Sequence, residues 1–348
     1  MFAANVKIKK LILLNIVLTI TMLVGCNGNE HVIDTSNIKI DLKLKRFEQD
    51  LFKCKNPNEI SGLKSQYPSF YPIFTNDIMM IHGQGPVSSE KEVAVELYRY
   101  ITHRDPDSLN KMAQAKFGDF SNYFKEFEQA NKYIVHYFPN EKLNEVITFI
   151  SAFEFASIYD EEAKSFCVGL DMYMGRNFEI YKLLNPQSFP KYRVDRFEPY
   201  HIVPNCVQSF LNYKIPESSH STFIEQAVYE GKKMYAMDLI LPKTHDSLKI
   251  GYLQGQLEWN IAQEKNIWAY LIENEVLFSS DKNDFQQHFF NDGPFTTPFG
   301  NESSPRAGVW VGWQIVRSYM KKHPEITLND LLANKDHNMI FQESGYKP

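Results

Sequence analysis

The stretch FIEQAVYEGKKMYAMDLILP, from Phe223 to Pro242, constrains the fold more than any other part of the chain. It reads as one apolar helix over Thr222 to Leu241, with Glu230 in its middle beside Gly231. A carboxylate in such a helix carries a desolvation penalty unless something holds it. Either a zinc ion completed by histidines elsewhere or hydrogen-bonding side chains would serve. Which of the two applies depends on the rest of the chain.

The common helical zinc site is H-E-x-x-H, which places two histidines four apart on one face and a glutamate beside the metal-bound water. The ten histidines stand at 31, 82, 103, 136, 201, 220, 245, 288, 323 and 337, so no two are four apart. None is followed by glutamate. The setting of the motif is nevertheless present. Strand, strand, helix, then a helix with a central glutamate is the order of the H-E-x-x-H peptidases. The helix expected from Pro199 to Tyr213, interrupted or kinked at Pro204, carries His201 where the zinc-binding pair would stand. One histidine and one glutamate are too few to hold zinc. We therefore expect no metal and no cofactor. Without the geometry to activate water, Glu230 is expected to be a buried polar anchor rather than a catalyst, with Arg306, Lys232, His201 or a tyrosine as its partner.

The N-terminus orders Lys7, Lys9 and Lys10, then an apolar run from Leu11 to Val24, then Leu23-Val24-Gly25-Cys26. The run is short for a membrane span, which needs roughly 20 apolar residues. It fits a signal peptide over 1–25 whose lipobox ends at Cys26. Acylation there would anchor the protein, because each buried methylene contributes roughly 0.8 kcal/mol. The polar residues after Cys26, to Asn37, read as a tether. The formal net charge of -5, with no basic run beyond the signal, speaks against a nucleic-acid partner. Cys54, Cys167 and Cys206 match no metal knuckle and read as buried thiols, with a Cys167–Cys206 pair as the alternative.

Residues 38–348 are expected to form one α+β domain, mostly helical. Ile38 to Leu44 alternates like a strand. Ser88-Ser89-Glu90 opens a helix, and Leu109 to Phe138 is a longer helical segment with Phe117, Phe120, Phe124, Phe127 and Ile134 near one face. These form a helical N-terminal layer, 38–140. Val146 to Ile150 and Ser165 to Asp171 read as strands of a small sheet, with a hairpin around residue 161. Further helices are expected within Lys249–Leu277, over Arg306–Lys322 and at Leu328–Leu332. The later part, 141–348, reads as a degenerate zinc-peptidase-like (gluzincin-like) core. Its Gly308-to-Arg317 helix resembles the G-Y-x-x-G-x-x-I-V helix of predicted secreted zinc proteases, where glycines permit close backbone approach.

Several further stretches carry a wider likeness. They are the lipobox at Cys26, Arg46-Phe47-Glu48-Gln49-Asp50, and Tyr229-Glu230-Gly231-Lys232 followed by Leu241-Pro242. Trp268, Ile272-Glu273-Asn274-Glu275, Glu302-Ser303-Ser304-Pro305-Arg306 and Val311-Gly312-Trp313-Gln314-Ile315-Val316-Arg317 complete the set. Over nearly all of the mature chain the sequence resembles the gliding-motility lipoprotein B (GldB) family. That resemblance implies a lipoprotein of the inner or outer membrane, facing the periplasm, needed for gliding and without an assigned reaction. Its expected role is non-enzymatic, as a scaffold or partner for envelope proteins of the motility or secretion machinery. The competing reading is an active envelope hydrolase using Glu230, Glu302 and His201. A serine hydrolase is disfavoured, since no G-x-S-x-G elbow is present.

Overall fold

The computed structural model describes residues 31–81, 89–216 and 220–348. Cys26 and the signal segment lie outside them. Thr35 already belongs to the folded part: it is buried and accepts a hydrogen bond from Gln129 Nε2.

A four-stranded sheet organises the first half. Its order is β1 (Lys43–Arg46), β2 (Glu145–Phe149), β4 (Ser165–Gly169), β3 (Ser157–Asp160). β1, β2 and β4 are parallel, and β3 closes an antiparallel hairpin on β4. A hairpin turns near residue 161 as expected, but it joins β4 to β3, a strand the sequence pattern did not suggest, while β2 pairs with β4 in parallel. The hairpin's turn uses Lys164 at φ 52° and a bond from the Ala163 amide to Asp160 Oδ1. The first strand begins later than its alternation suggests, at Lys43 rather than Ile38. Pairing with β2 selects those residues, which the local pattern does not register.

The helical layer comprises α1 (Phe47–Lys53), α2 (Pro57–Gln66), α3 (Glu90–Thr102), α4 (Arg104–Phe117) and α5 (Ser121–Tyr137). α3 starts on a capping box between Ser89 and Glu92. The single long segment expected from Leu109 to Phe138 is instead two helices, broken at 118–120, where Asp119 Oδ1 accepts from the Ser121 amide. The broken helix still buries Phe117, Phe120, Phe127 and Ile134. Phe47, Phe70, Phe74 and Phe149 form an aromatic cluster joining α1 to β2, with centroid separations of 4.7–6.4 Å.

The second half is helical. A 3₁₀ turn, Pro199–His201, leads into α6 (Ile202–Lys214), then α7 (Phe223–Ile240), α8 (Gln256–Glu273), α9 (Ala307–Lys322), α10 (Leu328–Ala333) and α11 (His337–Ser344). Pro204 does not kink α6. It sits in the first turn, where the helix has no intrahelical use for its missing N–H. The chain between Lys249 and Leu277 is split by Gly251 and Gly255, both at positive φ. The class is thus α+β and mostly helical, with a small mixed sheet. Cys167 and Cys206 are buried free thiols. Cys54, expected to be buried, is only half-buried, with its thiol 3.4 Å from the Asp50 carbonyl.

Candidate functional site

α7 and α9 form the tightest helix pair, and two glycines make it so. A Cβ on Gly231 would lie 2.1 Å from the Gly312 carbonyl oxygen, and one on Gly312 would lie 1.7 Å from that of Ala227. Either approach is forbidden to any other residue without moving a backbone, so the glycines expected to permit close packing do so.

Glu230 emerges at the edge of this crossing. Its side chain keeps 24% of its exposure, accepts from Gln226 Nε2 at 3.2 Å and pairs with Lys233 Nζ at 3.5 Å. The pairing with Arg306 offered among the expected partners does not form. Arg306 Nη2 donates to the Ile250 carbonyl, and its Nε faces Asp292 Oδ1 at 3.8 Å. Glu230 acts on Arg306 only through the field. Asp292 also pairs with Arg196, and a Cβ on Gly251 would lie 3.3 Å from Arg306 Nη2 and 3.7 Å from Arg196 Nη1. Arg306 Nε and the amide nitrogen of the buried Asn260 have no hydrogen-bond partner in this region.

His201 is 2% exposed. Burial first, and then the neighbouring charges of Arg196 and Arg176 working against Glu198, pull its pKa down to about 4. It is therefore neutral at neutral pH. Arg176 is held by Glu198 and by the Tyr200 hydroxyl. With Tyr200, His245, Tyr252 and Glu258 it lines a surface cleft of about 260 Å³.

Glu302 is exposed and belongs to none of these contacts. Its neighbours explain the Glu302-Ser303-Ser304-Pro305-Arg306 stretch. Thr296 donates its amide and its hydroxyl to the Ser304 carbonyl at 3.0 and 2.8 Å, and Ser303 Oγ donates to the Thr296 carbonyl at 3.1 Å. Ser304 Oγ donates to Asn260 Oδ1 at 2.8 Å, and the Ala307 amide donates to Thr296 Oγ1 at 3.1 Å. This knot holds Arg306 in the left-handed region, φ 54°, at the start of α9. An L-residue there costs of order 1–3 kcal/mol, which the surrounding bonds offset.

The strongest polar centre was not anticipated. Asp238, with a side chain 1% exposed, accepts from Lys249 Nζ (2.8 Å), Trp313 Nε1 (2.8 Å), Arg317 Nε (2.7 Å) and Arg317 Nη2 (2.7 Å). The Arg317 guanidinium also lies 3.8 Å from the Trp313 ring centroid, and Asp246 pairs with both cations. Burial raises the Asp238 pKa, but the Arg317 bonds and the Arg317 and Lys249 charges outweigh it and hold the carboxylate below its usual range. One signal was available: Asp238 stands alone between Tyr235-Ala236-Met237 and Leu239-Ile240-Leu241.

Among the described residues, no three His, Cys, Asp or Glu side chains gather in a way that could hold a metal ion. No helix among them is long and apolar enough to cross a membrane. Comparison with known proteins gives no match among curated sequences and none among solved structures. A family model described as "Gliding motility protein GldB" matches residues 28–348, nearly the whole chain. A match of that extent makes the chain a member of the gliding motility protein GldB family.

Proposed function

We propose that the protein is a lipid-anchored envelope component of the gliding machinery, held by an acylated Cys26 on the periplasmic side of a membrane. Its folded part binds other envelope proteins and performs no hydrolytic step. We further read its core as a zinc-peptidase scaffold that has lost its metal. The succession of β2, β3 and β4, later followed by α6 with His201 just before it and α7 with Glu230, supports that descent.

The observation that carries the non-enzymatic reading is electrostatic. The two residues with ligand chemistry have cations for neighbours. His201 lies in the field of Arg196 and Arg176, which outweigh the opposing Glu198, and Glu230 is paired with Lys233 and lies in the field of Arg306. A dication would meet repulsion at both. The anchor is supported by the basic–apolar–Leu-Val-Gly-Cys order and by a folded part that begins within ten residues of Cys26.

The test is Cys26→Ser expressed in cells lacking their own copy. The variant is expected to remain an unprocessed, unacylated precursor and to fail to restore movement. A Cys26→Ser protein that still carries an acyl chain and supports gliding would overturn the anchor.

A further inference from the structure

Three buried donors meet where α9 begins: Arg306 Nε, the amide nitrogen of Asn260 and the Tyr252 hydroxyl. None has a hydrogen-bond partner among the described residues. Asn260 is 0% exposed and Tyr252 2%. Their positions are tied together. Ser304 Oγ fixes the other end of the Asn260 amide, and Arg306 Nη2 donates to the Ile250 carbonyl, two residues before Tyr252. Tyr252 lies close enough to Arg306, Ser304 and Asn260 for all three to act on its hydroxyl, without making a bond to any of them. Burial outweighs the three and pushes the Tyr252 pKa up to about 12, so the group is a neutral donor at neutral pH. A buried donor left unpaired costs about 1–3 kcal/mol. Three in one place call for acceptor oxygens from outside this part of the chain.

The charges around them leave one cation unmatched. Arg306 and Arg196 share the carboxylate of Asp292, which is 3.8 Å from Arg306 Nε. Glu230 of α7 reaches Arg306 only through the field and is paired with Lys233. Arg176 is paired with Glu198, and Lys249 and Arg317 balance Asp238 and Asp246. Glu258 is exposed on the wall of the adjoining cleft. A single negative charge spread over two oxygens matches this setting. A doubly charged phosphate would be opposed by Asp292, Glu230 and Glu258.

Tyr252 belongs both to this group of donors and to the wall of the 260 Å³ cleft, beside Arg176, Tyr200, His245 and Gln254. It is carried by Gly251-Tyr252-Leu253-Gln254-Gly255, whose two glycines stand at φ 72° and 85°. Glycine takes such angles without strain and leaves the backbone free to turn on either side of the ring.

We propose that the cleft and the donors behind it form a carboxylate-binding site: the 251–255 segment swings Tyr252 aside, and the two oxygens of the ligand take hydrogen bonds from Arg306 Nε, Asn260 Nδ2 and the Tyr252 hydroxyl. Two sources offer that chemistry, the free C-terminus of a polypeptide and a small free carboxylate. The site is independent of the anchoring and scaffold role proposed above.

Calorimetric titration of the full chain in detergent and chloride buffer tests it. The probes are acetate, N-acetyl-trialanine, the C-terminal amide of that peptide, and inorganic phosphate. A carboxylate is expected to bind, and the amide to bind at least about tenfold more weakly than the free peptide. Tighter binding of the peptide than of acetate assigns the chain end as the source. Equal or tighter binding of acetate assigns a small carboxylate. Tyr252→Phe, which removes one donor and keeps the ring, should weaken binding about tenfold, and Arg306→Gln should abolish it. Binding of neither carboxylate would overturn the proposal and leave a buried structural water as the partner of these donors. Tighter binding of phosphate, or unchanged affinity in Tyr252→Phe, would overturn it too. The phenylalanine variant decides the matter even if Arg306→Gln fails to fold.

Discussion

Two carboxylates on α7, Glu230 and Asp238, stand about two turns apart and have opposite settings. Glu230 keeps a quarter of its exposure and is met by a glutamine and a lysine of its own helix. Asp238 is sealed and is met by three donors from other segments, Lys249, Trp313 and Arg317. The two arginines of the α9 segment divide the same way. Arg317 makes a two-point contact with Asp238, whereas Arg306 shares a distant Asp292 and leaves its Nε without a bond. The anchoring of α7 to α9 expected of Glu230 and Arg306 is thus carried by Asp238 and Arg317. A carboxylate's importance follows from how many partners reach it from distant parts of the chain, not from its place in the middle of a helix.

The largest predicted effect breaks the stronger side of this comparison. Asp238→Ala leaves Lys249 and Arg317 at the α7–α9 contact with the part-exposed Asp246 in place of the buried carboxylate, and strips the Trp313 N–H of its acceptor. Removing one partner of such a buried pair costs roughly 3–5 kcal/mol. Urea unfolding should show a midpoint lowered by that energy divided by the slope, with the slope unchanged. The pH dependence has a defined sign. The Asp238 pKa is depressed in the folded state, so its contribution is full above the unfolded value of 3.8 and is lost as pH falls through the lower folded value. Asp238→Ala should therefore flatten the acid limb of the stability curve.

A smaller but still large effect is expected at the crossing itself. Gly312→Ala drives a methyl into the Ala227 carbonyl, and Gly231→Ala drives one into that of Gly312. Overpacking of this kind costs about 1–3 kcal/mol, and backbone movement can add to it. Thermal melting of both variants checks this, with Gly312→Ala expected to melt lower. Gly62, whose added Cβ would meet nothing within 4 Å, serves as the control and should accept alanine without loss.

What the sequence disclosed divides along similar lines. Features set by neighbours in the chain were legible. β-branched runs revealed β2 and β4 and an acidic turn marked the hairpin, though not its first strand β3; Ser89 marked the start of α3, and periodic apolar residues outlined α7 and α9. Features set by distant partners were not. The start of β1 depends on β2, 102 residues away at the Arg46–Thr148 bond. The role of Asp238 depends on Arg317, 79 residues on. The serine knot needed Thr296 and Asn260, neither of which lies in a stretch that reads as a motif. The missed break between α4 and α5 has a different cause: the aromatic spacing runs on through Gly118, so burial of the same face hides the interruption.

The smallest predicted effect falls on the weaker side. Glu230→Ala is expected to cost less than about 1 kcal/mol, since its lysine pair is part-exposed and its amide contact is long. Glu230→Gln is expected to cost nothing measurable. The most direct test of the account sets Glu230→Gln and Asp238→Asn side by side, measuring denaturant stability and restoration of gliding in cells that lack the protein. The account predicts that Glu230→Gln matches the parent in both and that Asp238→Asn is severely destabilised. A Glu230→Gln protein as stable as the parent but unable to support movement would contradict it and give the carboxylate back its chemistry.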